Sequence, residues 1–162
     1  MSDDLRVAAA AVLDLCRAHG LKVATAESCT GGLVAGALTE IAGSSDVVDR
    51  GFVTYSNAAK QEMLGVSAAT LAAHGAVSEQ TAREMAGGAL AHSRAQWALA
   101  ITGVAGPSGG TPEKPVGMVC FAWAGATGMR SAQTRHFDGD RESVRRQSVA
   151  FALQTLLQLL ER

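Results

Sequence analysis

The sequence predicts a three-layer α/β domain built on a mixed, mostly parallel sheet. Short apolar runs of strand length alternate with segments of helical periodicity along most of the chain. Two consecutive strand-like runs near the end, separated only by residues 125–128, read as a hairpin and make the sheet mixed. The 162 residues carry no linker, no repeat of solenoid period and no low-complexity tail, which fits one domain over residues 1–162.

Residues 4–19 place Leu5, Ala8, Ala9, Val12, Leu15 and Cys16 on one helical face, and Gly20 stands at the C-terminal cap. Residues 21–26 hold Val23 and Thr25 and read as a strand. Glu27-Ser28-Cys29-Thr30-Gly31-Gly32 follows as a tight turn, and a helix over 33–41 stops at Gly43. A second strand is expected over 51–55, then a short helix carrying Lys60. Ser67 and Ser78 are placed to cap helices over 68–73 and 79–92. Residues 97–101 form a third strand, followed by a long loop that holds all three prolines of the chain. The hairpin strands run over 118–124 and 129–137. A last helix spans 141–160 with Leu153, Leu156, Leu157 and Leu160 as its apolar stripe.

The composition excludes several classes. Fourteen basic against fifteen acidic residues leave a net charge of -1, without the basic excess of a nucleic-acid binder. Three cysteines without CxxC spacing suggest neither a disulfide framework nor a zinc knuckle, and no HxxxH pair or acidic cluster suggests another metal. The opening MSDDLRV lacks the basic region of a signal peptide, and the apolar stretch 7–13 is too short to span a bilayer. The expectation is a soluble cytoplasmic protein with no membrane or nucleic-acid partner, no metal and no cofactor.

Two glycine-rich loops, 27–32 and 102–110, follow apolar strands, and in open α/β sheets ligands collect at the carboxyl ends of strands. The first also opens a helix, whose orphan amides suit an anion or a developing oxyanion. Ser28 sits there in a position similar in kind to a nucleophile elbow, although G-x-S-x-G is absent. A serine nucleophile needs a base. The four histidines, His19, His74, His92 and His136, sit towards element ends and read as surface or capping residues. Lysine is scarce, with only Lys22, Lys60 and Lys114, and a buried lysine can lose its proton as arginine cannot. Lys60 follows Tyr55 by five residues across the turn at Ser56-Asn57, so both can approach one pocket. Cys29 is a rival nucleophile; consecutive residues leaving a strand point to opposite sides, so only one of the pair faces the pocket. Arg141 in the first turn of the last helix sits against the helix dipole and calls for an anionic ligand or a carboxylate partner. Arg145 and Arg146 read as solvated face residues.

These residues fall in strings that resemble the competence/damage-inducible CinA C-terminal family: ATAESCTGG (24–32), RGFVTYSNAAK (50–60), HGAVSEQTAREMA (74–86), ITGVAGPSGGTPEKPVGMV (101–119) and FDGDRESVRRQS (137–148). The likeness runs in order over nearly the whole chain and is greatest to the family's stand-alone members, which are nicotinamide-nucleotide amidohydrolases. Any activity housed in the N-terminal molybdopterin-binding-like domain of longer members is not expected here. The resemblance implies a three-layer α/β/α sandwich, a homo-oligomer, and hydrolysis of the carboxamide of nicotinamide mononucleotide to nicotinate mononucleotide and ammonia. It implies Ser28 as nucleophile with Lys60 and Tyr55 beside it. On that basis neutral Lys60, directly or through Tyr55, takes the Ser28 proton, and amides around Thr30, Gly31 and Gly32 hold the oxyanion. Glu27 is expected to face the pyridinium, with Asn57 also in the substrate set. Gly103, Gly106, Gly109, Gly110 and Arg141 are expected around the phosphate, and Thr102 to donate to substrate or nucleophile. A serine–lysine mechanism needs no metal, so activity in chelator is expected. Two readings compete: a non-catalytic nucleotide-binding or interaction module, and a thiol amidase using Cys29.

Overall fold

The computed structural model describes every residue from Met1 to Arg162. Five strands form one sheet in the order β2-β1-β3-β4-β5: β1 (Val23–Glu27), β2 (Val48–Val53), β3 (Trp97–Gly103), β4 (Met118–Gly125) and β5 (Arg130–His136). β1 pairs in parallel with both β2 and β3, whereas β3–β4 and β4–β5 are antiparallel. Four of the five strands therefore run the same way, and the sheet is mixed as expected. α1 (Asp3–Ala18), α2 (Leu33–Thr39) and α6 (Arg141–Leu160) cover one face; α3 (Asn57–Leu64), α4 (Ala68–His74) and α5 (Glu79–Ala91) lie on the other. No helix is long and apolar enough to cross a membrane.

The pleat divides the core into two unlike halves. Val23, Leu99, Ile101, Val119, Phe121 and Trp123 point to the α1/α6 face and join the larger apolar cluster. There Phe121 and Trp123 stack at 5.9 Å between ring centroids, and Phe151 of α6 meets Phe121 edge-on at 4.8 Å. The Trp123 indole N–H donates to Ala152 O at 3.1 Å, so the ring's one polar atom is satisfied inside the core. Their pleat neighbours Ala24, Ala26, Ala98, Ala100, Ala122 and Ala124 form a carpet of methyl groups on the opposite face. On this carpet rests α5, itself lined by Ala82, Met85, Ala86 and Ala89.

Close approach continues outward from α5. A Cβ on Gly88 would come within 2.0 Å of Leu64 O, at the end of α3. Gly88→Ala is accordingly expected to push α3 and α5 apart and destabilise the fold by roughly 1–3 kcal/mol, against the small gain alanine brings to an open helix. Urea unfolding checks this: the midpoint falls with an unchanged slope, and an unchanged or higher midpoint would show that the two helices do not need the contact.

Among the departures from the sequence reading, two strand boundaries and one helix face bear on the site and the core. β2 begins at Val48 and ends at Val53, so Thr54 and Tyr55 leave the strand; only the Thr54 amide still bonds across, to Glu27 O at 2.9 Å. β3 runs on to Gly103, because Thr102 and Gly103 keep their pairing with Cys120 and Val119. The buried stripe of α6 passes through Val144, Val149, Ala152, Leu153, Leu156 and Leu159, whereas Leu157 and Leu160 are only half-buried. The row that faces the sheet includes small side chains, so picking leucines alone displaces the stripe.

β1 also sits at a topological switch point. The chain leaves it through α2 on one face to reach β2, then returns through α3, α4 and α5 on the other face to reach β3. The carboxyl ends of β1 and β3 thus open where the crossovers part, the place where open α/β sheets bind ligands.

Candidate active site

A cleft of about 350 Å³ opens there. Ser28 and Cys29 at the end of β1 form its floor, with Tyr55, Asn57 and Lys60 on one side. Ala76, Val77 and Thr102 form the back, the loop from Gly103 through Gly106 to Gly109 the far wall, and Arg141 the rim.

Lys60 reaches this floor because Ser56 starts α3, its Oγ accepting from the Ala59 amide at 3.0 Å, which turns the first helical turn inward. The side chain is 1% exposed. Its Nζ lies 3.0 Å from Ser28 Oγ, 2.9 Å from Thr54 O and 3.3 Å from Tyr55 O, and none of the chain's ion pairs includes it. Burial pushes the ammonium below its ordinary value, the nearby Cys29 opposing it weakly. In the neutral amine the two carbonyls take the two N–H donors, which leaves the lone pair for the serine hydroxyl.

Cys29 follows Ser28 but turns into the larger core cluster, and burial pushes its thiol up to about 12. At neutral pH only about one molecule in 10⁵ carries the thiolate, which disfavours it as the nucleophile.

Tyr55 touches Lys60 and Ser28 through its backbone carbonyl alone. The residue is 63% exposed, and its hydroxyl lies 3.2 Å from Arg141 Nη2. A proton relay through the phenol does not match this arrangement. Arg141 also donates from Nη1 to Gly106 O at 2.8 Å, tying the rim to the loop. Thr102 lines the cleft, but its hydroxyl proton goes to Ala76 O at 2.8 Å, so it accepts rather than donates towards a ligand. Every carbonyl of that turn is claimed by a side chain: His74 O by Lys114 Nζ, Gly75 O by the Ser78 and Thr81 hydroxyls, Ala76 O by Thr102.

Five residues of the expected substrate set lie outside the cleft. Glu27 is buried beneath the turn, where Oε1 accepts from Thr30 Oγ1 (2.6 Å) and the Val34 amide (2.8 Å) and Oε2 from the Ala35 amide (3.1 Å). Gly32 stands at the N-cap of α2 with φ of 104° and no side chain, so the Glu27 carboxylate caps the helix in its place. Thr30 is buried with its hydroxyl on Glu27. The Gly31 amide closes the turn on Ser28 O at 3.0 Å, and Gly110 packs against Val116. Among the turn's amides, those of Cys29, Thr30 and Gly32 have no acceptor in the chain, and of these three residues only Cys29 lines the cleft. The oxyanion donor expected around Thr30–Gly32 therefore moves back to the residue after the nucleophile.

In the far wall, none of the amides of Ala105, Gly106, Ser108 and Gly109 has an acceptor in the chain. Unspent donors in a glycine loop, with Arg141 beside them, form a cradle for an anion. Sequence reasoning missed Arg145, which is half-buried and donates from Nε to Cys29 O at 3.0 Å and from Nη2 to Thr30 O at 3.4 Å. The signal was present, since Arg145 lies one helical turn after Arg141. Ala76 and Val77 offer the cleft only backbone and methyl groups, and no pattern marked them.

The model of the CinA C-terminal domain family matches residues 6–160. Nicotinamide-nucleotide amidohydrolase PncC of Escherichia coli strain K12 is 58% identical over 142 residues, covering 88% of this chain and 86% of its own. A CinA-like protein of Anaeromyxobacter dehalogenans is 58% identical over 86% of this chain but only 34% of its own length. Among solved structures, the competence/damage inducible protein CihA from Agrobacterium tumefaciens superimposes with a TM-score of 0.96 at 52% identity, covering 100% of this chain and 98% of that one.

Proposed function

The chain belongs to the CinA C-terminal domain family, and from that premise we propose that it hydrolyses the carboxamide of nicotinamide mononucleotide to nicotinate mononucleotide and ammonia, with Ser28 as nucleophile and Lys60 as base. One observation carries the reading: a buried lysine without a carboxylate partner holds its amine 3.0 Å from a serine hydroxyl, at the strand ends where this fold class binds ligands. The relatives' names supply the substrate.

Ser28 Oγ attacks the amide carbon while neutral Lys60 takes its proton. The carbonyl oxygen becomes an oxyanion facing the Cys29 amide, a donor of the kind worth about 2.7–4 kcal/mol in known oxyanion holes. The C–N bond then breaks as the Lys60 ammonium returns its proton to the leaving nitrogen, releasing ammonia and leaving an ester on Ser28. Water attacks the ester, again losing its proton to Lys60, and Ser28 recovers its own as nicotinate mononucleotide departs. The phosphate lies against the amides of the 105–109 loop and the free N–H groups of Arg141.

Purified protein in chelator should release ammonia and nicotinate mononucleotide in equal amounts from the mononucleotide. No release, with the nucleotide still raising the melting temperature, would point to a binding module, and neither effect would overturn the substrate. Arg141→Ala should raise KM by roughly 10- to 100-fold with kcat within about threefold, as loss of a charged phosphate contact does. Equal falls in kcat and kcat/KM would count against this role.

A further inference from the structure

We propose that Arg145 is a positioning residue for the nucleophile turn, holding its peptide planes so that no carbonyl enters the oxyanion site. The inference rests on Ser28 being the nucleophile. Arg145 reaches the turn from behind. Together with Gly32 and Leu33 it lines a separate groove of about 640 Å³ between α1, α2 and α6, while Ser28 and Cys29 line the cleft on the other side. Its guanidinium makes no ion pair; the partners it has are two carbonyls of this turn, Cys29 O at 3.0 Å and Thr30 O at 3.4 Å.

In a trans peptide the carbonyl of one residue and the amide of the next point in opposite directions. Holding Cys29 O towards α6 therefore turns the Thr30 N–H away from the guanidinium. Ser28 O is engaged by the Gly31 amide, so the Cys29 N–H is directed out of the turn by the same rule. The Glu27 carboxylate fixes the downstream end of the turn, through Thr30 Oγ1 and the start of α2, but touches neither the Cys29 nor the Thr30 carbonyl. The Thr30–Gly31 plane is also held by backbone, Thr30 O by the Leu33 amide and the Gly31 amide by Ser28 O, both at 3.0 Å, so the plane that depends on Arg145 is Cys29–Thr30. Without it the Cys29–Thr30 peptide is free to rotate, and its carbonyl oxygen can face the position where negative charge develops. Gly31, with φ of 55°, leaves the turn conformationally permissive enough for such a rotation.

The test compares Arg145→Ala, Arg145→Gln and Arg145→Lys with the wild type and with Arg146→Ala, whose exposed side chain pairs only with Glu142. Two rates are measured: turnover of nicotinamide mononucleotide and phosphonylation of Ser28 by a fluorophosphonate, followed by intact mass. Arg145→Ala is expected to lose at least about 30-fold in kcat and in labelling rate with KM within threefold, since a misplaced oxyanion donor acts in the transition state. Added guanidinium should restore part of both rates, and Lys should fall between Ala and wild type. If Ala does not fold, Gln, which can hold one carbonyl, provides the same comparison. Rates within twofold of wild type, or a lower melting temperature with unchanged rates per folded molecule, overturn the proposal. Wild type that is labelled but releases no ammonia refutes the substrate alone, and the labelling rates then decide on Arg145. Wild type that does neither refutes Ser28 as nucleophile, and this proposal with it.

Discussion

Ser28→Ala releases no measurable ammonia from nicotinamide mononucleotide: kcat falls by at least about 10⁴-fold, the scale on which loss of a hydrolase nucleophile is felt, while the fold and nucleotide binding persist. The hydroxyl is a small part of the cleft floor; its loss removes the 3.0 Å contact with Lys60 and a marginal bond to Tyr55 O at 3.5 Å, while Lys60 keeps Thr54 O and Tyr55 O, so removing it costs little packing. Isothermal titration of the mutant should return a dissociation constant close to the wild-type value. Cys29→Ala is the paired control and retains turnover, because the thiol sits in the core and stays protonated. The reverse pattern, with Cys29→Ala dead and Ser28→Ala active, would make the enzyme a thiol amidase.

Lys60→Met removes the base and leaves a side chain of similar length. Turnover should fall by about 10²–10⁴-fold, the usual worth of a positioned acid–base group. Lys60→Arg should be equally impaired, because a guanidinium does not give up its proton. In the wild type, activity rises with pH as Lys60 deprotonates, and burial places that limb below the ordinary value of 10.5. The stability consequence has a definite sign. A lysine whose folded pKa is lowered binds fewer protons folded than unfolded between the two values, so wild-type stability climbs with pH across that window. Below the folded pKa the full cost of burying the cation is present, and it is relieved as pH approaches 10.5. Measured against Lys60→Met, which has nothing to titrate there, the wild type should gain melting temperature between neutral pH and about pH 10. A gap that stays constant would mean that the lysine is not held below its ordinary value.

The architecture was legible in the sequence because its signals are local. Alternating periodicities, serine caps and the 125–128 turn each sit within one element or junction. The sequence brought Ser28, Lys60 and Arg141 to attention through scarcity and position, and the structure gathers all three around one cleft. What it hid is the direction of side chains at element ends. Glu27 is the last residue of β1, and nothing in the string AESCTGG tells whether its carboxylate turns out to a ligand or folds under to cap a helix that starts on two glycines. The spacing of Tyr55 and Lys60 suggests contact through the phenol, whereas the contact is through the carbonyl, since the chain leaves β2 at Val53 and the ring lies at the rim. In the sequence Arg145 reads as a solvated face residue, yet its partners are carbonyls 115 and 116 residues away. Such distant pairings lie beyond any reading of neighbours.

The unequal halves of the core also dictate how the chain can vary. On the aromatic face each large side chain fills space, so the harmful changes are truncations, which open voids under α6. On the alanine face α5 lies against methyl groups with nothing to spare, so the harmful changes are enlargements. The two surfaces of one sheet thus tolerate opposite kinds of drift. α5 in turn meets the helix that carries Lys60 at the Gly88–Leu64 contact, so an enlargement on the alanine side is expected to reach the base without touching the cleft.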